Sequence, residues 1–211
     1  MVITMDIALL KKYFELEKKE EDLLLEYTQL LVEWNNKINL ISRKDTENVL
    51  ERHILHALGV LACGNIESEN QSIIDVGTGG GLPGIPLAIC LPNNNFTLAD
   101  SIAKKILACN QMVQDLDIQN ADCVNTRVEN LQTKYDIVTG RAVTRLLPFY
   151  SLTKNLLKKG GRYLLLKGGD LGEEIYEFEN QTKLKVKKHA LKEYFEEEFF
   201  ETKYVLEIIK K

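Results

Sequence analysis

Asp75-Val76-Gly77-Thr78-Gly79-Gly80-Gly81-Leu82-Pro83-Gly84 links two apolar runs of different kinds. The run before it, Ser72-Ile73-Ile74-Asp75-Val76, is short and β-branched and ends in glycines, so it reads as a buried strand. The run after it, Pro83 to Cys90, reads as a helix, with Pro83 suited to a first turn. A glycine-rich strand-to-helix turn lies where a doubly wound sheet binds ligands, beyond the carboxyl ends of its strands. Glycines there remove side chains and permit positive φ, so backbone can approach a ligand closely.

Working outward, strands are expected at Phe96–Ala99, around Ala121 to Asn125, at Asp136–Thr139 and at Arg162–Leu166. Helical spacings fill the gaps, from Ile102 to Leu116 and from Leu146 to Leu156, and Gly160-Gly161 reads as a turn. This alternation predicts a doubly wound α/β fold with a mostly parallel, seven-stranded sheet. Leu184–Lys187 and Tyr204–Ile208 are the last two strands, paired antiparallel at the edge, where lysines protect an exposed ladder. Upstream, Leu23, Leu24, Tyr27, Leu30, Leu31 and Trp34 share one helical face that stops at Asn35-Asn36. A second helix is expected from Asp45 as N-cap, with Val49, Leu50, His53, Ile54, Ala57, Leu58 and Leu61 as its apolar stripe. The predicted organisation is an N-terminal helical module, 1–66, followed by one compact ligand-binding domain, 67–211.

A chain of 211 residues, 45% hydrophobic and 27% charged, has the balance of a globular domain large enough to need no disulfide or metal. No apolar run is long enough to span a membrane, and the N-terminus turns charged too early for a signal peptide, so a cytoplasmic location is expected. Cys63, Cys90, Cys109 and Cys123 form no CxxC pair, so no metal is expected; each reads as a small buried hydrophobe. The net charge of −4 excludes a surface that grips polyanions everywhere, so any such contact is local.

Two ligands compete for the loop. Gly79-x-Gly81-x-x-Gly84 satisfies the dinucleotide fingerprint, but starts several residues past the strand end. Asp75-x-Gly77-x-Gly79-x-Gly81 starts directly at the strand end, in the register of the nucleoside loop of S-adenosylmethionine-dependent methyltransferases. Asp100 closes the second strand, where a carboxylate accepts from ribose hydroxyls. It suits either ligand, and it also suits an N-cap.

Further segments carry a resemblance. Trp34-Asn35-x-Lys37-x-Asn39-Leu40, Arg52-His53-Ile54-Leu55, Asp75 to Pro86, Arg127-Val128-Glu129, Arg141-Ala142 and Leu166-Lys167-Gly168 together resemble the RsmG family, also called glucose-inhibited division protein B. The resemblance covers residues 25–170. It implies a class I, Rossmann-like methyltransferase that uses S-adenosylmethionine to methylate N7 of one guanine in bacterial 16S ribosomal RNA, free or in a small-subunit precursor. It implies cofactor contacts at Gly77, Leu82, Val128, Glu129 and Arg141, beside Gly79, Gly81, Asp100 and Ser101, which the loop register and the end of the second strand add. Arg141 is the expected catalytic residue, facing both cofactor and target base. Arg52, Lys104 and Lys105 are the expected RNA contacts. After the Arg52–Leu55 run the family usually has Asp-Ser, where this chain has His56-Ala57.

His53 reads either as a buried residue fixing the helical module or as a contact at the cofactor site. The place of the proline tetrad used for exocyclic amino methylation holds Thr139-Gly140-Arg141-Ala142. No proline is followed by cysteine, the usual signature of pyrimidine C5 chemistry. A nicotinamide-dependent oxidoreductase and a non-catalytic ribosome-associated factor are the alternatives.

Overall fold

The computed structural model describes residues 6–63, 66 and 69–210. The expected module boundary at 66/67 falls at Glu67, outside the described residues.

Strands β1 (Ser72–Val76), β2 (Asn95–Asp100), β3 (Ala121–Asn125), β4 (Tyr135–Arg141), β5 (Leu157–Gly168), β6 (Lys187–Ala190) and β7 (Lys203–Ile209) form one sheet in the order β3-β2-β1-β4-β5-β7-β6. The first five are parallel, and β7 lies antiparallel between β5 and β6. β1 is an interior strand and its Ile73, Ile74 and Val76 are buried, which is why it reads as a short apolar run interrupted only by Asp75. The reversal of strand order between β1 and β4 opens the switch-point crevice at their carboxyl ends.

Helices α4 (Gly84–Cys90), α5 (Ala103–Asp115) and α6 (Leu146–Thr153) are the expected crossovers. Helix α7 (Gly172–Thr182) has no counterpart in the sequence reading, because its glutamates hide a face held by one buried residue, Phe178. Gly160-Gly161 lies inside β5 instead of ending a turn. Tyr135 pairs with Leu157 and Ile137 with Arg162, so extra β5 residues loop out there, with Gly160 at φ +77°. The outer strand begins at Lys187 and not at Leu184, because helix α7 runs to Thr182 and Val186 N–H donates to Glu179. Of the cysteines, only Cys109 is buried; the other three are half-buried, and all four are free.

At the N-terminus, α1 (Ala8–Lys11) precedes α2 (Lys18–Asn35), which a Glu17/Glu20 capping box starts. Asp45 is not an N-cap. Ser42 begins a 3₁₀ turn, Arg43–Asn48, and Asp45 instead takes the Arg52 guanidinium at 2.7 Å. A π-helical stretch, Leu50–Leu55, then runs into α3 (His56–Ala62). Leu24, Tyr27, Leu31, Ile54 and Leu58 share one apolar cluster with Ile73 and Leu98 of the sheet and Ile85 of α4. Tyr27 is buried, and its hydroxyl donates to Gly80 O at 2.8 Å. Helix α2 therefore rests on the glycine loop.

Candidate functional site

Asp75 sets the shape of the loop. It is fully buried, and its Oδ2 accepts from Thr78 Oγ1 at 2.6 Å and from Gly84 N at 2.9 Å. One carboxylate thus ties the first turn of the loop to the start of α4. Burial pushes this carboxyl up to about 6, against the lowering pull of those two hydrogen bonds. Gly77 and Thr78 N–H donate to Ala99 O at 2.8 and 3.1 Å, carrying the loop onto the end of β2. Gly77, Gly79 and Gly81 all have positive φ.

Their surroundings differ. A Cβ on Gly81 would lie 2.4 Å from Ile85 Cδ1, so Gly81 supports the loop from beneath and does not line the cleft. A Cβ on Gly79 would meet nothing nearer than Gly77 O at 4.0 Å, so Gly79 faces open space. That space is a cleft of about 1050 Å³.

Asp100 sits at its edge, 8% exposed. Its Oδ2 accepts from Gly79 N at 3.1 Å and its Oδ1 from Ile102 N at 2.9 Å. Asp100 is thus not the N-cap of α5, which is Ile102, but holds the turn before it, and each of its oxygens keeps a further lone pair as an acceptor. The cleft wall also includes Gly77, Leu82, Ser101, Val128, Glu129 and Arg141 among the expected cofactor residues. Of the expected RNA contacts, Arg52 and Lys105 line it, whereas Lys104 is exposed on α5 away from the wall.

Arg141 ends β4 on the cleft wall, and its Nη1 lies 2.7 Å from His53 Nδ1. An arginine only donates, so Nδ1 accepts and His53 is a neutral imidazole with its proton on Nε2. Burial, then the Arg141 charge, push His53 down to about 3. Both readings of His53 hold at once: it is buried in the helical layer and it orients a cleft residue. Among the described residues no carboxylate pairs with Arg141 within 4 Å, and burial lowers its basicity. The next residue, Ala142, has φ +52°, an uncommon conformation for a residue with a Cβ. Val143 then lies over Gly77, where a Cβ would come within 3.1 Å of it.

Asn35 and Lys167 stood in the quoted motifs without a role, and Phe199 and Lys203 escaped sequence reasoning altogether. Asn35 Oδ1 accepts from Leu40 and Ile41 N–H at 2.8 and 3.0 Å and so turns the 36–41 segment onto the wall. Lys167 pairs with Glu174 at 2.7 Å and also donates to Thr144 O, which anchors the segment after Arg141 to α7. Phe199 and Lys203 reach the wall from the tail.

The family described as rRNA small subunit methyltransferase G matches residues 20–200. The protein of that name from Christiangramia forsetii is 40% identical over 211 residues, covering 96% of each chain. The chain belongs to this family. Another methyltransferase G, from Chlorobium phaeobacteroides, is 47% identical over 153 residues, covering 72% of this chain and 68% of its own. The class I fold is shared more widely than methyltransferase G. The precorrin-6y C5,15-methyltransferase of Geobacter metallireducens superposes with a TM-score of 0.58 at 16% identity, covering 82% of this chain and 93% of its own. A SAM-dependent methyltransferase from Aquifex aeolicus gives 0.57 at 14% identity, covering 84% and 96%.

The open face at Gly79 and the acceptor at Asp100 fit the adenosyl half of S-adenosylmethionine, and the unpaired Arg141 fits its carboxylate. Gly79→Val should therefore weaken binding of this cofactor at least thirtyfold by calorimetry. The valine occupies the open face and puts a branched side chain at φ +58°. Gly160→Ala is the control, with a similar backbone (φ +77°) and equal space but a place away from the cleft. Equal cofactor affinity in the two variants would disprove the assignment.

Proposed function

We propose that this chain methylates N7 of a guanine in bacterial 16S ribosomal RNA, free or within a small-subunit precursor, in the cytoplasm. The observation that carries the reading is the cleft itself. A nucleoside-sized loop and acceptor stand at one end, and a half-buried guanidinium with no carboxylate partner among the described residues stands where β4 meets the cleft. When bound, S-adenosylmethionine supplies an electrophilic methyl group. Gly77, Gly79, Leu82, Asp100, Ser101, Val128, Glu129 and Arg141 would hold it, with Gly81 shaping the loop from below.

Guanine N7 has a lone pair and no proton, so the protein needs no general base. What remains is alignment and electrostatics around a purine that becomes cationic. The site agrees with this. His53 is neutral, Asp75 is enclosed by the loop it ties, and among the described residues no cysteine lines the cleft. A guanidinium donating to N7 would occupy the attacking lone pair. Arg141 therefore acts on O6, on a phosphate or on the cofactor carboxylate. The first 66 residues serve as a helical module that supports the loop from α2 and supplies Arg52 and His53 to the wall. Arg52 and Lys105, with Lys104 beyond the rim, form a local cationic mouth, as an acidic protein needs for an RNA substrate.

Incubation with unmethylated small subunits and labelled cofactor, followed by mapping of the modified base, tests this. One label on a guanine N7 of 16S RNA supports it. A label on another atom or another RNA, or none with intact cofactor binding, refutes it.

A further inference from the structure

The cleft extends past the cofactor residues to a wall that the C-terminal segment builds. Lys203 opens β7 and pairs in register with Gly168 at the end of β5, which brings the tail to the carboxyl edge of the sheet. Phe199, from the preceding 3₁₀ turn, fills the corner. Lys203 Nζ lies 4.7 Å and Arg52 Cζ 5.7 Å from the Phe199 ring centroid, and the His56 ring meets it edge-on at 5.5 Å. One aromatic ring therefore spaces two cations that come from opposite ends of the chain.

These cations are incompletely satisfied. Arg52 gives Nη1 to Asp45, but its Nε is buried without a partner. Lys203 donates only a long bond to Thr202 Oγ1, at 3.4 Å, and pairs with no carboxylate among the described residues. Of the acids that line the same cleft, Glu174 is engaged with Lys167, Asp45 with Arg52, and Asp170 accepts from Gly172 N, while Glu198 and Glu201 of the 3₁₀ turn are exposed and outside the cleft lining. The His56 ring beside Phe199 is pushed down by burial, Arg141 and Lys203, so it stays neutral and cancels no positive charge, which leaves the two cations for an incoming anion.

We propose that Arg52, Lys203 and Phe199 form a subsite for one oxyanion, a backbone phosphate of the RNA beside the target guanine. This rests on the RNA-methyltransferase reading above. The cofactor carboxylate is the other source of an oxyanion, and the strand order argues against it. Asp100 on β2 and Lys203 on β7 are four strand steps apart, roughly 19 Å at ~4.8 Å per step. Arg141 on β4 is only two steps from Asp100, so the amino-acid tail of the cofactor meets that guanidinium first and leaves the β7 wall to the RNA.

The test is binding of an in vitro transcript of the 16S target region, measured against salt, beside calorimetry with S-adenosylmethionine. Lys203→Gln should weaken RNA binding about fivefold at 0.1 M salt and lower the salt slope by about one. Its cofactor affinity should be unchanged. Lys203→Arg should restore affinity and slope, and thermal melting verifies that both variants fold. Unchanged RNA affinity and slope in Lys203→Gln would overturn the subsite, as would no RNA binding by the unmodified protein. A loss confined to cofactor affinity would assign the oxyanion to the cofactor and overturn it equally. If the unmodified protein methylates the RNA while Lys203→Gln behaves like it, the subsite fails and the function stands. If the protein methylates no RNA, the function itself fails.

Discussion

An RNA substrate carrying 7-deazaguanine at the target position should accept no methyl group above background. The replacement exchanges the N7 lone pair for a C–H and leaves the base-pairing edge intact. The site offers no second route. Among the described residues no cysteine lines the cleft to attack a pyrimidine ring, and the Thr139-Gly140-Arg141-Ala142 segment lacks the Asp or Asn and the paired prolines of the tetrad used for exocyclic amino transfer. Binding should survive, because loss of one acceptor costs about 0.5–1.5 kcal/mol, or at most roughly tenfold in affinity. The measurement is single-turnover transfer with matched guanine and 7-deazaguanine RNAs, beside their dissociation constants. Transfer at the normal rate would identify a different acceptor atom and end the mechanism proposed here.

Arg141→Ala should lower kcat/KM about a hundredfold, which is about 2.7 kcal/mol. That lies within the range for charge-assisted hydrogen bonds in a water-poor site. The thermal midpoint should move by only a few degrees, because two effects oppose. The variant removes a half-buried charge that has no carboxylate partner among the described residues, and it leaves His53 Nδ1 without its donor. A purely structural arginine would show the reverse, a large loss of stability with proportionate loss of activity. The pH profile separates the roles further. His53 is held at about 3 in the folded protein against about 6.5 when unfolded, so its contribution to stability is complete above about pH 6.5 and is lost as pH falls toward 3. Activity should therefore show no step from this pair near neutrality. A kcat/KM change below threefold would remove Arg141 from the site.

The sequence was most legible where interactions are local. Ser72–Val76, the loop and Asp100 declare a switch-point crevice because strand, turn and acceptor are all encoded within 30 residues of one another. Asp45 misled because aspartate suits an N-cap, and only the fold brings Arg52 to its carboxylate. The π-helical stretch Leu50–Leu55 reads as ordinary helix, since a few residues of i→i+5 bonding do not change an apolar stripe. Helix α7 was silent because its buried face is narrow. Phe199 and Lys203 were illegible for a different reason: their meaning depends on β7 inserting beside β5, a pairing more than 30 residues away.

The Tyr27–Gly80 bond makes the middle of α2 and the cofactor loop a single cooperative unit. Gly80 leaves no room for independence, because a Cβ there would lie 2.8 Å from Leu31 Cδ1 and 3.2 Å from Leu40 Cβ. Any excursion that lifts α2 exposes the underside of the loop, so the loop cannot persist in its binding shape without the helix. Ligand occupancy must then be felt in a segment that never touches the ligand. A cofactor present at a hundred times its dissociation constant adds about 2.7 kcal/mol to every opening that destroys the site. Amide exchange within residues 18–35 should slow roughly a hundredfold on saturation, while the edge strand 187–190 exchanges as before. Equal slowing in both would mean that the sheet and the helix open only together.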